Sequence, residues 1–438
     1  MSFQKNLTYP SKVYLSEADC FHLMLETHAE KNQAGGNVVR IAFFLDNEIT
    51  INNIISNINK SPIIHWLCNV KLVKRSLTSI PYWQYMYTNN LVNIFQHQSE
   101  IYKEIPESIT TREIQVTDPK LIEFDIIHYS NNKSAFVMSW NHTVMDGRGA
   151  GMLIKHLNEE GEISQEYFNE IFPVKEKQVS MFQYIKNMYE VKHFIETSSK
   201  APISGLLNKP ELQKKCSFKY KIIQFNASET QKIDENAIKN GAKFGINLFL
   251  ISCCTHIIHS IQKMRKSDGV LWLPIPYDGR RRGAIGPIIS NCVLFLFYRI
   301  LPQNLSSIKE TVNCLNTQMT NQIKIDMPKK YNLLLKMMRH IPLRLYHFLT
   351  NRNSEHVFAS FLYTSTGENI HDMKTLINKP INDVVIFPPK TFPPGLTFSF
   401  LRHNNILKLN IIYADSIINE SELETIETKI KELLLGNY

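Results

Sequence analysis

The clearest pattern along the chain is a pair of short, mostly apolar segments separated by a few polar residues. Residues 121–128 and 134–140 are rich in Ile, Phe, Val and Trp, and an Asn-Asn pair lies between them. Such residues favour strands, and paired Asn residues favour tight turns. Residues 149–157 then carry apolar side chains at helical spacing. The pattern predicts a β-hairpin followed by a helix.

The same criteria predict strands and helices along most of the remaining chain. Strands are predicted at residues 37–45, 220–226 and 270–274. Helices are predicted at residues 51–59, 181–195, 229–240, 247–265 and 421–435. This interleaving indicates an α/β fold in which helices cover sheets.

A polar stretch near the middle of the chain predicts a boundary between two units. Residues 158–215 lose strand periodicity and contain Pro202, Gly205 and Pro210, which interrupt regular structure. We therefore predict an N-terminal half-domain at residues 1–175, a connecting segment at 176–215 and a C-terminal half-domain at 216–438. A chain of 438 residues with 43% hydrophobic and 20% charged residues can bury a core in each half.

The net charge of +9 is spread along the chain, with local clusters at residues 280–282 and 329–330. Basic and acidic residues are interspersed, so we expect no nucleic-acid binding. A positive potential would still attract an acidic partner, such as the phosphates of a coenzyme or an acidic carrier protein. For Lys329 and Lys330 a solvated surface is the simpler interpretation.

Neither a leader nor a membrane span is expected. The basic start is followed by no apolar segment, and no apolar run approaches the ~18 residues that span a bilayer. The seven cysteines follow no disulfide spacing. We therefore expect a cytoplasmic protein with reduced thiols.

Residues 140–147 carry the candidate chemistry. They read Trp-Asn-His-Thr-Val-Met-Asp-Gly, so a His-x-x-x-Asp-Gly motif follows directly on the second predicted strand. An imidazole with a pKa near ~6.5 can act as a base at neutral pH. A lone histidine is more often structural, but His142 lies at a strand end with Asp146 and Gly147 behind it, which favours catalysis. No Gly-x-Ser-x-Gly elbow and no evident cysteine nucleophile accompany it, which disfavours a covalent intermediate.

The motif resembles the His-His-x-x-x-Asp-Gly signature of the chloramphenicol-acetyltransferase-like acyltransferases. This superfamily includes plant acyltransferases, wax ester synthases, polyketide-associated acyltransferases and the condensation domains of peptide synthetases. The likeness continues in order and spacing with Pro276 and Arg280, then Ser290 and Asn291, then a turn-like segment at 363–367. It implies an α/β fold with two similar sheet-plus-helix half-domains and a tunnel between them.

The resemblance also implies roles for the motif residues. His142 would be the general base. Asp146 would form an ion pair with Arg280 that holds the motif in position, and Gly147 would allow the backbone to turn. The alternative is that Arg280 is, like the two arginines after it, a solvated surface residue.

Two departures from the family pattern narrow the class. Asn141 stands where condensation domains usually have the first histidine, whereas several acyltransferase branches keep only the second. Residues 393–397, Pro-Pro-Gly-Leu-Thr, stand in the region where the plant branch has Asp-Phe-Gly-Trp-Gly. Both departures favour a free-standing acyltransferase outside the plant branch.

Further polar residues are candidates for the oxyanion or for the tunnel wall. The hydroxyls of Thr364, Ser365 and Thr366 and the amide of Asn291 could stabilise a tetrahedral intermediate. An ordinary turn at a strand end is the simpler interpretation of residues 364–366.

Two other groups have competing interpretations. Cys253, Cys254, His256 and His259 lack a standard zinc spacing and lie in an apolar predicted helix, so no metal site is expected. Residues 331–349 are rich in Leu and Met, which fits either core packing or a lid that touches an acyl chain or a membrane.

We therefore expect an acyltransferase that moves an acyl group from a coenzyme A or acyl-carrier-protein thioester to a hydroxyl or amine. Acyl-coenzyme A or acyl-phosphopantetheine is the donor substrate, and no further cofactor is expected. The acceptor would be a small molecule or lipid of secondary metabolism or lipid biosynthesis, and the protein a monomer. Two alternatives are a condensation-type amide or ester synthase acting on carrier-bound substrates, and a catalytically silent carrier-binding module.

Overall fold

The computed structural model describes residues 7–31, 36–48, 51–159, 163–173, 180–198, 203–207, 217–351, 359–366 and 368–437. Its strands are β1 Lys12–Tyr14, β2 Val38–Leu45, β3 Val70–Val73, β4 Tyr82–Tyr85, β5 Asn93–Ser99, β6 Ile122–Tyr129, β7 Ser134–Asn141, β8 Phe218–Phe225, β9 Leu271–Asp278, β10 Val293–Ile300, β11 Leu362–Thr366, β12 Thr375–Leu376, β13 Lys379–Phe387, β14 Leu396–His403 and β15 Ile406–Ala414. Its α-helices are α1 Glu17–Lys31, α2 Ile51–Lys60, α3 Pro62–Leu67, α4 Glu107–Thr111, α5 Gly147–Asn158, α6 Gln165–Glu170, α7 Met181–Ser198, α8 Ala227–Lys239, α9 Asn247–Met264, α10 Ile308–Lys324, α11 Met327–Met338, α12 Leu343–Asn351, α13 Glu368–His371 and α14 Glu420–Leu435. Pro202, Pro210 and Gly367 lie outside the described residues, as does much of the predicted connecting segment.

The predicted hairpin and the helix after it are confirmed. β6 and β7 pair antiparallel from Ile122 opposite Trp140 to His128 opposite Ser134, and α5 begins at Gly147. They belong to a six-stranded sheet of order β12-β13-β2-β7-β6-β5. Every residue of β2 and β7 is buried. The motif therefore comes directly after a strand that lies in the interior of this sheet.

The C-terminal half is built around a four-stranded sheet of order β11-β14-β15-β8, covered by α8, α9 and α14. β9 and β10 form a hairpin beside this sheet, and the Ser360 amide just before β11 donates to the Trp272 carbonyl at 2.9 Å. Cys253 and Cys254 of α9 are part of the apolar core. Among the described residues, no helix is both long and apolar enough to cross a membrane.

The described apolar residues form two main cores, and the first of them contains residues from both parts of the chain because one strand crosses between the sheets. β13 follows β11 in the chain, yet it pairs with β2 of the N-terminal sheet. From the neighbouring sheet, Lys408 donates to the Val384 carbonyl at 3.0 Å and Asn410 donates to the Ile386 carbonyl at 2.8 Å. The C-terminal part of the chain therefore completes the N-terminal sheet, a long-range pairing that local patterns do not predict.

The apolar segment 331–349 is not one continuous element. It is divided between α11 and α12 by a break that includes Pro342, whose ring cannot continue a helix. Some of its apolar side chains pack in the core, and others lie on the surface. Leu335 and Tyr346 are buried, whereas four other side chains are exposed: Met337, Leu345, Phe348 and Leu349.

Candidate active site

His142 is placed by the end of β7 and by the turn that follows. Its backbone amide donates to the Asn37 carbonyl at 2.7 Å, which extends the contact between β7 and the start of β2. The indole of Trp140 donates to the Met145 carbonyl at 2.8 Å and closes the turn. Asp146 then caps α5 by accepting from the Gly149 amide at 2.8 Å. Strand, turn and helix cap therefore fix the backbone on both sides of the histidine.

Asn141, at the position where the sequence departs from the two-histidine signature, is an anchor for this turn. Its side-chain amide donates to both carboxylate oxygens of Glu26 on α1, at 3.1 and 3.0 Å, and to the Ile114 carbonyl at 2.8 Å. Its own oxygen accepts from the Thr143 amide at 2.9 Å. The side chain is fully buried, so this amide is committed to structure.

The imidazole of His142 is held by a buried hydrogen-bond chain that ends at Asp19. His142 Nδ1 lies 3.0 Å from Asn291 Oδ1, and Asn291 Nδ2 donates to Asp19 Oδ1 and to the His142 carbonyl, each at 2.8 Å. Because the amide nitrogen of Asn291 faces a carboxylate, its oxygen faces the ring and accepts from Nδ1–H. This network assigns the neutral tautomer in which Nε2 carries no proton.

Asn291 therefore lies behind the histidine and is not an oxyanion donor. Both amide hydrogens have acceptors in the protein, and the side chain is buried. Burial lowers the pKa of His142, while Asp146, Asn291 and Asp19 oppose that shift. The imidazole is therefore kept neutral and able to accept a proton.

We predict that Asn291→Ala lowers turnover by about 10- to 100-fold, because a buried donor on His142 would lose its acceptor. Ser290→Ala is the matched control, since the Ser290 hydroxyl also donates to Asp19, at 3.0 Å, but does not contact the imidazole. The measurement is turnover of both variants at equal folded fraction. Equal losses in the two variants would assign the effect to Asp19 and contradict a direct role of Asn291.

The carboxylate of Asp146 is fully engaged within the protein. Oδ2 accepts from Arg280 Nη1 at 2.8 Å and from the Cys292 amide at 2.8 Å, and Oδ1 accepts from the Gly149 amide. A Cβ on Gly149 would lie 2.6 Å from the Ile288 carbonyl oxygen, so only glycine permits this close approach. The motif is thereby attached to the connection between β9 and β10.

Arg280 is a buried partner, and the interpretation as a solvated arginine is wrong for this residue. Its side chain is only 2% exposed, and it also donates to the Pro287 carbonyl at 3.0 and 2.9 Å and to Asp278 at 3.0 Å. Arg281 and Arg282 are exposed. Arg148 of α5 forms a second ion pair with Asp278. The pairing of Asp146 with Arg280 expected from the resemblance is present in the structure.

Thr364, Ser365 and Thr366 lie within strand β11, not in a turn as the sequence suggested. They pair in parallel with residues 399–401 of β14. All three line the cavity that also contains His142. The Thr366 methyl carbon is 4.0 Å from the position that a Cβ on Gly147 would occupy. The end of β11 therefore lies beside the motif, and its three hydroxyl-bearing residues line the same cavity as His142.

The candidate metal cluster on α9 is dispersed. Cys253 and Cys254 are buried in the core, and His256 is hydrogen-bonded to Thr311 Oγ1 at 2.9 Å. Among the residues that the structure describes, no group of three or more His, Cys, Asp or Glu side chains could hold a metal ion.

One cavity of about 1240 Å³ lies between the two halves and includes His142 in its wall. Aromatic rings form a continuous series along one side. Phe21 lies 5.7 Å from Phe295, Phe297 lies 4.7 Å from Tyr331, and Phe297 lies 5.5 Å from Trp272, measured between ring centroids. Arg148, Arg280 and Arg282 contribute to the same cavity. The space therefore combines an extended apolar wall with a charged region, in which Arg148 and Arg280 are paired with Asp278 and Asp146 and Arg282 is exposed.

Comparison with known proteins gives a consistent fold and no sequence match. No family profile and no curated protein matches the chain. Among solved structures, the trichothecene 15-O-acetyltransferase TRI3 from Fusarium sporotrichioides is similar with a TM-score of 0.72 and 15% identity, covering 97% of this chain and 95% of that one. The condensation domain of the Monacolin K polyketide synthase MokA is similar with a TM-score of 0.64 and 10% identity, covering 98% of each chain.

The epimerization domain of tyrocidine synthetase B is similar with a TM-score of 0.64 and 9% identity, covering 100% of this chain and 98% of that one. The protein therefore has the fold of the chloramphenicol-acetyltransferase-like and condensation-domain proteins. This confirms the fold expected from the motif at residues 140–147.

Two site residues on α1 were not predicted from the sequence. Asp19 anchors Asn291, and the ring of His22 stacks on the ring of His142. The two residues are three positions apart, which puts them on one face of a helix. That spacing was a usable signal, but only the tertiary structure brings this face against the motif.

Proposed function

We propose that the protein is an acyltransferase in which His142 is the general base for transfer from a thioester to a hydroxyl or amine. One observation carries the proposal. Asn291 accepts from Nδ1 of His142, which leaves the unprotonated Nε2 for a substrate in the cavity. A positioned imidazole of this kind typically contributes ~10²–10⁴-fold to proton-transfer catalysis.

In the proposed reaction, Nε2 takes the acceptor proton while the acceptor oxygen or nitrogen attacks the thioester carbonyl. The tetrahedral intermediate collapses, the carbon–sulfur bond breaks, and the imidazolium returns the proton to the departing sulfur. A hydroxyl of β11, from Thr364, Ser365 or Thr366, is a candidate donor to the oxyanion. The products are an ester or amide and a free thiol, so the reaction requires no cofactor beyond the donor.

Direct transfer is favoured over an acyl-enzyme intermediate. Cys292 contacts the motif, because its backbone amide donates to Asp146. Burial raises the pKa of its thiol to about 12. A thiol of this kind is a poor nucleophile at neutral pH. No cysteine lines the cavity within the described part of the chain, and Ser365 is its one serine there.

The cavity wall supports a substrate with a large apolar body. Its aromatic series offers a large apolar area beside the motif. The TRI3 structure is that of a 15-O-acetyltransferase of a trichothecene, which is a precedent for a small-molecule hydroxyl acceptor on this fold. We propose that the acceptor of this protein is likewise a small molecule, or else a lipid.

A donor comparison separates this proposal from the alternatives. Purified protein is given acyl-coenzyme A or acyl-carrier-protein thioesters, together with hydrophobic alcohols and amines or with a carrier-bound acceptor. Free thiol and binding of the carrier protein are measured. Release from acyl-coenzyme A supports the free-standing acyltransferase. Release only from carrier-bound donor with a carrier-bound acceptor supports a condensation-type synthase. Binding of a carrier protein without any release would identify a silent carrier-binding module.

We predict that replacing Arg281 and Arg282 by Ser raises the donor KM and weakens its dependence on salt. Both side chains are exposed, and Arg282 lines the cavity, so they can attract donor phosphates over a screened distance of about 10 Å. The matched control is Lys309→Ser with Lys324→Ser, which removes the same charge from exposed positions of α10 outside the cavity. Identical salt slopes for both double variants would show that the arginines act only through net charge.

A further inference from the structure

The ring of His22 covers one face of the His142 ring. The two ring centroids are 3.9 Å apart, and the ring planes differ by 13°. His22 belongs to α1, three residues after Asp19, which anchors Asn291. One helix therefore supports the Nδ1 edge of His142 through Asn291 and covers the face of the same ring directly.

The environment of His22 favours its neutral form. Its Nδ1 atom is buried and has no hydrogen-bond partner. An imidazolium carries a hydrogen on both nitrogens, so protonation would bury an unsatisfied N–H next to a second histidine. Burial and then the neighbouring His142 accordingly lower the pKa of His22 well below its usual range.

Other charged and titratable groups around the stacked pair are mostly compensated. Asp19 accepts from Asn291 and Ser290, and Asp146 is paired with Arg280. Further groups on elements that face the pair include Glu26 and Glu17 of α1, Cys292 just before β10, Arg148 with its partner Asp278, and Arg282. The helices that pack nearby or face the cavity add Lys192 and Glu196 of α7, Tyr331 of α11 and Tyr346 of α12. His22 is the group in ring-to-ring contact with His142.

We propose that His22 is a positioning residue whose neutral ring excludes water from one face of His142 and fixes the plane of that imidazole. With Nδ1 on Asn291 and one face on His22, the ring keeps Nε2 toward the cavity. Excluding water disfavours the imidazolium of the resting protein, so the base stays unprotonated as the pH falls. The inference rests on the proposed role of His142 as the base.

The test compares the protonation of His142 in the wild type, His22→Ala, His22→Phe and His156→Ala. Phe keeps a ring against His142 without a titratable group, whereas Ala opens the face to water. His156 of α5 is the matched control, because burial also lowers its pKa, to about 4, and its ring is outside the cavity. Diethyl pyrocarbonate modifies only neutral imidazole, and trypsin releases residues 134–148 with His142 as the single histidine.

Modification of that peptide, followed by mass spectrometry from pH 5 to 8, gives the midpoint for His142 without any assay of activity. His22→Ala should raise the midpoint by about one unit toward the free value of ~6.5, and His22→Phe and His156→Ala should keep the wild-type midpoint. Equal midpoints in the wild type and His22→Ala would overturn the proposal. An upward shift in His22→Phe as large as that in His22→Ala would also overturn it, because the ring face would then have no effect.

Activity provides a second, separable measurement. The acid limb of kcat/KM should move to higher pH in His22→Ala and return in His22→Phe, with the donor KM unchanged. If the modification midpoints shift as expected while His142→Ala retains full turnover, the proposed function fails and the stacking role stands. If His142 is essential and the midpoints do not move, the function stands and the stacking role fails.

Discussion

Replacement of His142 by alanine is expected to lower turnover by ~10²–10⁴-fold and to leave the fold intact. The variant removes the one nitrogen that the hydrogen-bond network leaves free to take the acceptor proton. The backbone contacts that shape the motif come from Trp140, Asn141 and Asp146 and do not involve the imidazole. Turnover of a thioester donor with an accepted hydroxyl substrate gives the measurement.

The matched control for this variant is His156→Ala, which removes a half-buried ring from the helix that follows the motif. Circular dichroism and thermal unfolding establish that both variants are folded. The control should keep near-wild-type turnover. A folded His142→Ala protein with wild-type turnover would remove the basis for general-base catalysis at this residue.

Replacement of Asp146 by alanine should have the largest effect on stability, at about 3–5 kcal/mol, because it leaves the buried Arg280 guanidinium without its carboxylate. The loss of the α5 cap adds about 1 kcal/mol. Contacts from Arg280 to Asp278 and to the Pro287 carbonyl moderate the effect. Activity should fall with stability, because the motif turn would no longer be attached to the connection between β9 and β10.

A double-mutant cycle with Asp146→Ala and Arg280→Ala isolates the pair from its neighbours. We expect a coupling free energy of about 1–3 kcal/mol in denaturant unfolding. Asp146→Asn is the informative control, since it can still accept from the Gly149 amide while its charge is gone. A coupling near zero would mean that the two side chains stabilise the site independently and would reject the ion pair as a unit.

Local patterns predicted the part of the fold that depends on local interactions. The hairpin of β6 and β7 and the helix α5 follow from strand and helix periodicity, and their bounds agree with the structure within one or two residues. β13 was not predicted, although its last residues are apolar, because its assignment depends on pairing with β2 far away in the chain. Periodicity also could not locate the break at Pro342 between two apolar helices.

The residues of the candidate site also differ in whether local sequence or tertiary packing identifies them. His142 and Asp146 were identified because they lie in one short motif, and Arg280 was identified through the resemblance. The stacking of His22 and the anchoring of Asn291 by Asp19 depend on α1 packing against the motif. The role of oxyanion donor predicted for Asn291 was wrong for a related reason. An asparagine can either donate to an oxyanion or support the base, and only the contacts of its two amide hydrogens distinguish these roles.

The most direct test of the account follows the acyl group itself. Wild-type protein is mixed with an isotopically labelled acyl thioester and a hydrophobic alcohol or amine, and the reaction is quenched on the millisecond to second scale. Intact-protein mass spectrometry, product analysis and free-thiol measurement are made on the same samples. Direct transfer with His142 as the base predicts one free thiol for each acylated acceptor, no labelled protein at any time, and formation of both products slowed by ~10²–10⁴-fold in His142→Ala. Labelled protein that forms and decays at the rate of turnover, or no thiol from any coenzyme A or carrier-bound thioester, would contradict it.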